Sequence, residues 1–596
     1  MRLIIRFWQE YASEHKWSYA IGILFLLMTN GLGVLIPKLI QWAIEAFESG
    51  NSALHLSLAL LGAGVGTMFV RTLSRTFIFN PGRTIEYTLK RDLFAHLLRL
   101  PRSFYEEEMT AGEIINRGTN DTAAVRGLVG YGSLQLFNVA ITLTLTLSQM
   151  FWLNLELSLW CIVPLFFASV ILRWAVLKMF TFHRQIMWQN GILGDRILES
   201  YAGVGIVQLF GAQAGVEHRF DQENTELLSL SERVQGIAVW ALPIVSVIGS
   251  ICVVISLYIG GSKLQSGEMT LGALTAFIVY INLLVSSLTS LGWLTGAIQR
   301  GYISLGRVYE VLDATLGRSD ESAILPECDP RGRGLSIRDL CFSHPGSDSE
   351  SLHGLSFDVA PGEVLGVFGL TGSGKSTLLD VLSRTYEPPA QSVFMDDVDI
   401  TSLNIDQYWH EVGYVQQTPY LFSQTIRENI MLADLEGAHT DTVKKRLNSA
   451  VTAACLSSEV ESFPNGLETK VGERGITLSG GQKQRTSLAR VFYRDDLRLL
   501  MLDDVMSAVD HHTETRLIQA IYERKPSCTT MIVSHRMSVL QEADRVIVLE
   551  GGMLIDQGTP EQLLSRKGSY AEAWAAQNEF STELTEQSKK AAKGNR

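Results

Sequence analysis

The clearest chemical pattern in the sequence is a glycine-rich loop at residues 369–377, which reads GLTGSGKST. It fits the phosphate-binding pattern and lies between an apolar run at residues 364–368 and a predicted helix that begins near Lys375. Backbone N–H groups at such a turn bind phosphates, the Lys375 ammonium reaches the terminal ones, and the Ser376 hydroxyl binds Mg²⁺. The predicted site comprises Gly369, Leu370, Thr371, Gly372, Ser373, Gly374, Lys375, Ser376 and Thr377.

Two carboxylates follow the apolar run at residues 499–502. Asp503 at the end of a strand can bind Mg²⁺, and Asp504 can orient or deprotonate an attacking water. Two aspartates after a strand are weak evidence by themselves, but their position downstream of a phosphate loop makes the pattern specific. The sequence therefore predicts Asp503 as a metal ligand together with Ser376, and Asp504 as a catalytic residue.

Short apolar runs predict the elements that position these residues. Runs of this kind are typical of buried parallel strands, and here they alternate with helical segments from residue 335 onwards. This alternation predicts an α/β nucleotide-binding domain. The predicted strands cover residues 364–368, 499–502, 531–533 and 546–549.

The composition of the whole chain is more apolar than that of a soluble protein, and the long apolar stretches all lie before residue 300. Of the 596 residues, 46% are hydrophobic and only 19% are charged, where a soluble chain has about 25% charged residues. The net charge of −12 argues against a nucleic-acid partner. The six cysteines show no zinc-ribbon or redox spacing, which indicates reduced, packed thiols.

Six apolar stretches are long enough to cross a hydrocarbon core of about 30 Å, which takes about 20 helical residues. Lys and Arg concentrate in the connections between spans two and three and between spans four and five, so both termini are predicted to be cytoplasmic. The first stretch is too long for a cleaved signal peptide. The predicted spans are residues 19–40, 54–79, 128–153, 157–177, 237–261 and 271–298.

The two long cytoplasmic connections, of about 40 and 60 residues, exceed ordinary loop lengths. Apolar residues recur in them at helical spacing, so the spans are expected to continue as helices and to turn back near residues 102–119 and 203–212. Asn30, Asn138 and Asn282 each fall near the middle of a span. They either form hydrogen bonds between helices or line a substrate path.

The segment LSGGQ at residues 478–482 resembles the signature of ABC ATPases. Six spans fused N-terminally to such a domain resemble an ABC exporter half-transporter over about residues 1–580, and most closely the bacterial MdlA/MdlB-type, multidrug-resistance-like group. The segment at residues 203–211 resembles the second coupling segment of these exporters. The segment at residues 104–112 resembles the region around the first.

The resemblance implies further site residues. Gln417 would be the Q-loop glutamine, with a catalytic and a metal-binding role, and His535 the switch histidine at the γ-phosphate. Residues 473–475 would form the exporter-specific loop and residues 507–510 the D-loop. Two ATP-binding domains would meet head to tail, so that each ATP lies between one phosphate loop and the partner's signature. The nucleotide-contacting signature residues would be Ser479, Gly480, Gly481 and Gln482.

Two residues depart from the family pattern. Asp504 stands where the family has Glu, and its side chain is one methylene shorter, which withdraws the carboxylate by about 1 Å or more; such a misplacement can lower a rate about 100-fold. Family members with this Asp and an intact signature typically form one half of an asymmetric heterodimer. His344 stands where the family has an aromatic that stacks on adenine, and Phe342 is the alternative stacking residue.

These observations predict a membrane all-α six-helix transmembrane domain fused to an α/β P-loop ATP-binding domain of the ABC type. The predicted function is ATP-driven export of a small amphipathic or lipid-like compound across the inner membrane, with ATP and Mg²⁺ as cofactors. The predicted partner is a second, different half-transporter, in a heterodimer to which this subunit contributes a degenerate ATP site. A homodimeric exporter, an exporter-fold metallophore importer and an ATP-gated channel or regulator remain alternatives. The predicted domains are residues 1–16 (interfacial helix), 17–312 (six spans), 313–334 (linker), 335–578 (ATP-binding domain) and 579–596 (flexible tail).

Overall fold

The computed structural model describes residues 2–316, 327–347, 349–432, 434, 441–472, 475, 477–507, 509 and 511–577. The chain divides into two compact units. The first consists of Met1–Arg99 and Thr110–Ala314, and the second of Leu100–Met109 and Thr315–Arg596. The predicted tail at residues 579–596 and residues 317–326 of the predicted linker lie outside the described residues.

The first unit is helical, as the long apolar runs predict. In lipid every backbone N–H and C=O must be paired within the segment, and a continuous helix does this. The predicted interfacial helix at residues 1–16 is helical in its described residues and leads directly into the first long helix. The helices are α1 (Arg2–Phe7), α2 (Lys16–Glu48), α3 (Leu54–Leu97), α4 (Ala111–Asn116), α5 (Thr122–Gly127), α6 (Ser133–Leu153), α7 (Leu155–Ala202), α8 (Val204–Leu209), α9 (Gln213–Gln265) and α10 (Leu271–Leu312).

Six helical stretches within the described residues are long and apolar enough to span a membrane, which confirms the predicted six. They contain 42–53 residues each, whereas about 20 suffice for the hydrocarbon core. The helices therefore continue beyond the apolar segments, as predicted. The expected turn at residues 203–212 is also confirmed, because α7 ends at Ala202, α8 is short, and α9 begins at Gln213.

The three asparagines within the spans differ in their surroundings. Asn30 of α2 donates a hydrogen bond from Nδ2 to Oδ1 of Asn138 in α6 over 3.1 Å, and Thr142 Oγ1 donates to Asn30 Oδ1 over 2.6 Å. Two of the three therefore join helices. Asn282 is exposed on α10 and donates to the Ile278 carbonyl of its own helix over 3.2 Å.

The second unit is an α/β fold built on a six-stranded sheet in the order β10-β9-β3-β8-β7-β6. Neighbouring strands from β9 to β6 run parallel, and β10 pairs antiparallel with β9. The four predicted apolar runs form β3, β7, β8 and β9, which confirms them as buried parallel strands. The strands of this sheet are β3 (Val364–Phe368), β6 (Val412–Val415), β7 (Leu499–Asp503), β8 (Thr529–Val533), β9 (Arg545–Glu550) and β10 (Met553–Gly558).

A smaller antiparallel sheet, in the order β2-β1-β4-β5, packs in the same unit. Its strands are β1 (Leu335–Phe342), β2 (Leu352–Val359), β4 (Val393–Met395) and β5 (Val398–Asp399). The helices of the unit are α11 (Lys375–Leu382), α12 (Ile405–Glu411), α13 (Ile426–Ile430), α14 (Asp441–Ala453), α15 (Ser457–Ser462), α16 (Gly480–Phe492), α17 (His511–Tyr522), α18 (Met537–Leu540) and α19 (Pro560–Ser565).

A buried arginine fixes the chain just before β1. The Arg333 side chain is 3% exposed and donates to Glu411 over 2.6 and 2.8 Å and to Asp396 over 2.8 Å. Asp396 also accepts from the Gly334 backbone N–H over 2.7 Å. Arg333 and Gly334, which the sequence places in the linker, are therefore packed into the second unit.

The segment Leu100–Met109 packs with the second unit although it lies between two spans in sequence. Leu100, Phe104 and Met109 are buried. Tyr386 Oη donates to the two carboxylate oxygens of Glu106 over 2.7 and 2.9 Å, and the Arg102 guanidinium lies 5.4 Å from the Tyr386 ring centroid. Burial, together with the hydrogen bond to Glu106, raises the pKa of Tyr386.

Candidate nucleotide-binding site

The glycine-rich loop connects the end of β3 to the first residue of α11, as its sequence predicts. Its glycines are required sterically. A Cβ on Gly369 would lie 2.4 Å from the Leu549 carbonyl oxygen and 2.4 Å from Ser373 Oγ. Gly374 precedes α11 with a φ of 92°, in the left-handed region that favours glycine. The backbone therefore turns sharply and presents its N–H groups at the helix N-terminus.

Lys375 lies across the loop with its ammonium group against the backbone. Nζ donates to the carbonyl oxygens of Gly369 and Leu370 over 2.8 Å each and to Ser373 Oγ over 3.3 Å. Burial lowers the pKa of Lys375, and the carboxylates of Asp503 and Asp504 act in the opposite direction. The side chain is thus positioned where phosphate oxygens can replace its carbonyl partners.

Asp503 ends β7 and faces the phosphate loop. Its side chain is buried and accepts a hydrogen bond from Ser376. Burial raises the pKa of Asp503, which the Ser376 hydrogen bond and the Lys375 charge oppose. Mg²⁺ is commonly held in such sites by one or two protein oxygens together with substrate phosphates. A hydroxyl and a carboxylate in contact fit that requirement.

Asp504 has an unusual backbone conformation, with a φ of 46°. Its N–H donates to the Val533 carbonyl over 3.0 Å, and its own carbonyl accepts from Ser507 Oγ over 3.0 Å. The side chain is 6% exposed, and Oδ1 accepts no hydrogen bond from the part of the chain that the structure describes. A fixed backbone therefore presents a buried acceptor that a water can use.

One cavity of about 490 Å³ brings most of the predicted site together. The predicted residues that line it come from the phosphate loop, the segment after β6, the end of β7 and the segment after β8. They are Thr371, Gly372, Ser373, Gly374, Lys375, Ser376, Thr377, Gln417, Asp503, Asp504 and His535.

The sequence did not predict the rest of the lining, which comprises Glu350, Ser351, Val533, Gly551 and Gly552. Gly551 and Gly552 form the β9–β10 turn with φ values of 53° and 79°. The Gly552 N–H donates to the Ser373 carbonyl over 3.2 Å. Two glycines between apolar runs indicate a hairpin, but no local pattern indicates that this hairpin contacts the phosphate loop.

His344 lies outside the lining of this cavity. Its Nε2 is 3.1 Å from Thr377 Oγ1, and its ring meets Phe342 and Tyr386 edge-on at centroid distances of 5.4 and 5.1 Å. The half-buried imidazole therefore contacts the phosphate-loop helix through Thr377. Gly369 and Leu370 are also outside the lining.

The LSGGQ segment lies at the start of α16, away from the lining of the chain's own cavity. Ser479 Oγ accepts from the Gln482 N–H over 3.3 Å, and Gln482 Oε1 accepts from the Ser479 N–H over 2.9 Å. This reciprocal cap fixes the helix start. Among the residues that the structure describes, no atom outside the adjoining residues and the backbone of α16 lies within 4 Å of a Cβ added to Gly480.

The remaining motif residues are described in part. Gln484 Nε2 donates to Ser507 Oγ over 3.1 Å and to the Gln417 carbonyl over 3.4 Å, which connects the segment after β6 to the segment after β7. Glu473 and Arg474 of the predicted exporter-specific loop, and Ala508 and Asp510 of the predicted D-loop, lie outside the described residues.

Comparison with known proteins agrees with this geometry. Residues 19–288 match the model of the ABC transporter transmembrane region, and residues 352–507 match the ABC transporter model. A Bacillus subtilis (strain 168) protein named "Probable multidrug resistance ABC transporter ATP-binding/permease protein YheI" is 32% identical over 570 residues, covering 95% of this chain and 96% of that protein. The chain belongs to the ABC transporter family.

A solved structure supports the same assignment. The structure of a bacterial Atm1-family ABC exporter with ATP bound is similar with a TM-score of 0.82 and 25% identity, covering 94% of this chain and 98% of that chain. This ABC transporter is an exporter-type half-transporter that carries its membrane-spanning region and its ATP-binding domain on one chain. It is a multi-pass membrane protein and an ATPase-coupled transporter.

Proposed function

We propose that this ABC exporter expels a small amphipathic or lipid-like compound across the inner membrane, as one half of a heterodimer to which it contributes a slow ATP site. The observation that carries the asymmetry is Asp504, a short carboxylate where the resemblance implies Glu, in a cavity whose other motifs are intact. Both termini and the ATP-binding domain lie in the cytoplasm.

ATP binds with its phosphates against residues 369–377, and Lys375 exchanges its carbonyl partners for the terminal phosphates. Ser376, Asp503 and Gln417 would hold Mg²⁺, which shields the phosphate charge. His344 contacts the adenine end and His535 the γ-phosphate. The contact between His344 and Thr377 supports the first of these roles, because it brings the imidazole to the helix that begins at the phosphate loop.

The signature serves the partner's ATP. Residues 479–482 are absent from the lining of the chain's own cavity, and the space at Gly480 is open. In a head-to-tail pair of ATP-binding domains, the nucleotide of the second chain can approach the N-terminus of α16. The position of the signature outside the chain's own cavity and the open space at Gly480 both permit this approach.

The slow site follows from the fixed backbone at Asp504. Its N–H and carbonyl are both held by hydrogen bonds, so the main chain cannot easily advance to compensate for the missing methylene. A carboxylate withdrawn by about 1 Å positions the attacking water poorly, and the expected loss in rate is about 100-fold. ATP still binds, because the residues that contact its phosphates, at 369–377, match the family pattern.

The transported compound is of the multidrug type, as in the MdlA/MdlB-type group. The absence of charged residues deep in the predicted spans favours apolar or amphipathic compounds. Asn282 is the span asparagine that supports a substrate path, because it is exposed on α10 whereas Asn30 and Asn138 satisfy each other. ATP binding favours the closed arrangement of the two ATP-binding domains, and hydrolysis restores the open one.

Replacing Lys375 with alanine is expected to weaken ATP binding at this chain's site by about 10- to 100-fold, because a charge-assisted contact with the terminal phosphates is lost. Photolabelling of this subunit with an azido-ATP analogue measures the change. Lys525→Ala is the matched control, since Lys525 is a partly exposed lysine of the same unit that pairs with Asp544 over 2.5 Å. Equal labelling of both variants would show that Lys375 does not contribute to ATP binding.

ATPase activity in lipid tests the proposal, measured for this chain alone and with a second half-transporter encoded next to it, together with the mass of each assembly. The expected result is little turnover by this chain alone and strong turnover by a one-to-one complex. A stable dimer of this chain with full activity would instead establish a homodimeric exporter in which Asp504 suffices.

A further inference from the structure

A groove of about 450 Å³ lies between α7 and α9, outside the nucleotide-binding unit. Its wall is apolar and aromatic, with Trp174 and Phe182 on α7 and Trp240 on α9. Both tryptophans are exposed, at 57% and 72%. The remaining lining residues are Ile171, Lys178, Arg233, Gly236, Ile237, Ala241 and Ile244.

Two cations line the part of the groove where α7 leaves, and α9 enters, a predicted span. The Lys178 ammonium lies 5.2 Å from the Trp174 ring centroid, and the Arg233 guanidinium lies 5.9 Å from that of Phe182. The lining contains no Asp or Glu, and neither cation forms an ion pair with any residue in the described parts of the chain. Two positive charges beside an apolar wall are complementary to an amphipathic anion.

The sequence places these two cations at a membrane surface. Lys178 is the first residue after the apolar run at residues 157–177, and Arg233 lies four residues before the run at residues 237–261. The chain crosses the membrane once through α9 and returns through α10, which leads on to the ATP-binding domain. Arg233 is therefore on the side of the membrane where ATP is bound, which is the cytoplasmic side.

We infer that this groove binds an anionic phospholipid of the inner leaflet, with its phosphate between Lys178 and Arg233 and an acyl chain along Trp174 and Trp240. Basic pockets between transmembrane helices on the cytoplasmic side recognise lipid phosphates, and tryptophan favours this depth of the bilayer. A free phosphate would use the cations but leave the apolar wall uncovered. The lipid covers both, and its binding does not depend on which compound is transported.

Native mass spectrometry of the full chain in detergent, titrated with dioleoyl phosphatidylglycerol, tests the inference. Each cation is expected to contribute about fivefold in affinity, so Lys178→Gln with Arg233→Gln weakens the tightest lipid site by about 30-fold. The double variant Lys178→Arg with Arg233→Lys, which preserves both charges, is expected to retain the affinity of this site. Dioleoyl phosphatidylcholine is expected to bind equally to all these variants.

Arg173→Gln is the matched control, because Arg173 is an exposed cation of the same helix that does not line the groove. An equal loss in this variant, or none in the double variant, would overturn the inference. Competition by inorganic phosphate alone would also overturn it, because the occupant would then be a free anion.

A second measurement does not depend on the charge variants. Brominated phosphatidylglycerol is expected to quench the fluorescence of Trp174 and Trp240 at low lipid concentration. The combined Trp174→Phe and Trp240→Phe variant should lose that tight component. Quenching that is unchanged in this variant would place the lipid elsewhere.

Discussion

Replacing Gly480 with aspartate is expected to reduce ATP turnover of the assembled transporter by at least about 100-fold. The added carboxylate would stand at the N-terminus of α16, where the proposed head-to-tail arrangement brings the partner's γ-phosphate. Repulsion between the two negative charges would prevent the two ATP-binding domains from closing on the partner's nucleotide, which is the one hydrolysed rapidly in the heterodimer that we propose. Steady-state phosphate release from the purified complex measures the loss.

The fold of the variant should be intact. Apart from the adjoining residues and the backbone of α16 itself, no described atom lies within 4 Å of a Cβ at Gly480, and a negative charge in the first turn of a helix is favourable. Gly568→Asp is the matched control, because Gly568 has equally open space and does not line the nucleotide cavity. It is expected to keep full turnover.

Asp504→Asn distinguishes the two ATP sites. If the Asp504 site is the slow one, as we propose, its loss is expected to leave more than about half of the turnover, in contrast to Gly480→Asp. The comparison uses the same complex and the same assay. If both variants lose activity to the same extent, the two sites are equivalent and the asymmetric heterodimer is wrong.

The largest expected effect on stability is that of Arg333→Ala. Removing the guanidinium leaves Asp396 and Glu411, which are 18% and 23% exposed, without the partner they share. Breaking a buried ion pair from one side lowers the free energy of unfolding by about 3–5 kcal/mol. Arg338→Ala should cost only about 1 kcal/mol or less, since Arg338 is 59% exposed, its ion pair with Asp397 is 3.9 Å long, and its guanidinium lies over the Phe394 ring at 4.4 Å from the centroid.

The full chain in detergent is unfolded with urea, and the protease susceptibility of the ATP-binding domain reports the extent of unfolding. The urea concentration at the midpoint is then compared between the variants. Adding Asp396→Asn and Glu411→Gln to Arg333→Ala is expected to recover part of the loss, because no unpaired charge then remains. Equal midpoints for Arg333→Ala and Arg338→Ala would show that the buried pair contributes nothing.

The sequence predicts those parts of the molecule that depend on local pattern. A transmembrane helix pairs its own backbone groups, so an apolar run of sufficient length specifies it without reference to the rest of the chain. The phosphate loop is similarly local, because its glycines, Lys375 and Ser376 act within one strand–turn–helix unit. The six spans, the buried parallel strands and the residues of the loop were therefore predictable.

Other features depend on contacts between distant segments. The pairing of Asn30 with Asn138, the approach of Gly552 to the phosphate loop and the contact between His344 and Tyr386 each join separate parts of the chain. The sequence identifies these residues as polar, glycine or aromatic but does not specify their partners. The left-handed backbone at Asp504 is also invisible in the sequence, because surrounding hydrogen bonds impose it.

The packing of Leu100–Met109 with the second unit has a consequence for biosynthesis. This segment leaves the ribosome before β1 begins at Leu335, and translation at about 5–20 residues per second separates the two by about 10 to 45 s. During that interval Leu100, Phe104 and Met109, which are buried in the finished protein, have no surface to cover them. A chain truncated before β1 would leave this apolar segment exposed to solvent, where chaperones and proteases can recognise the incomplete transporter.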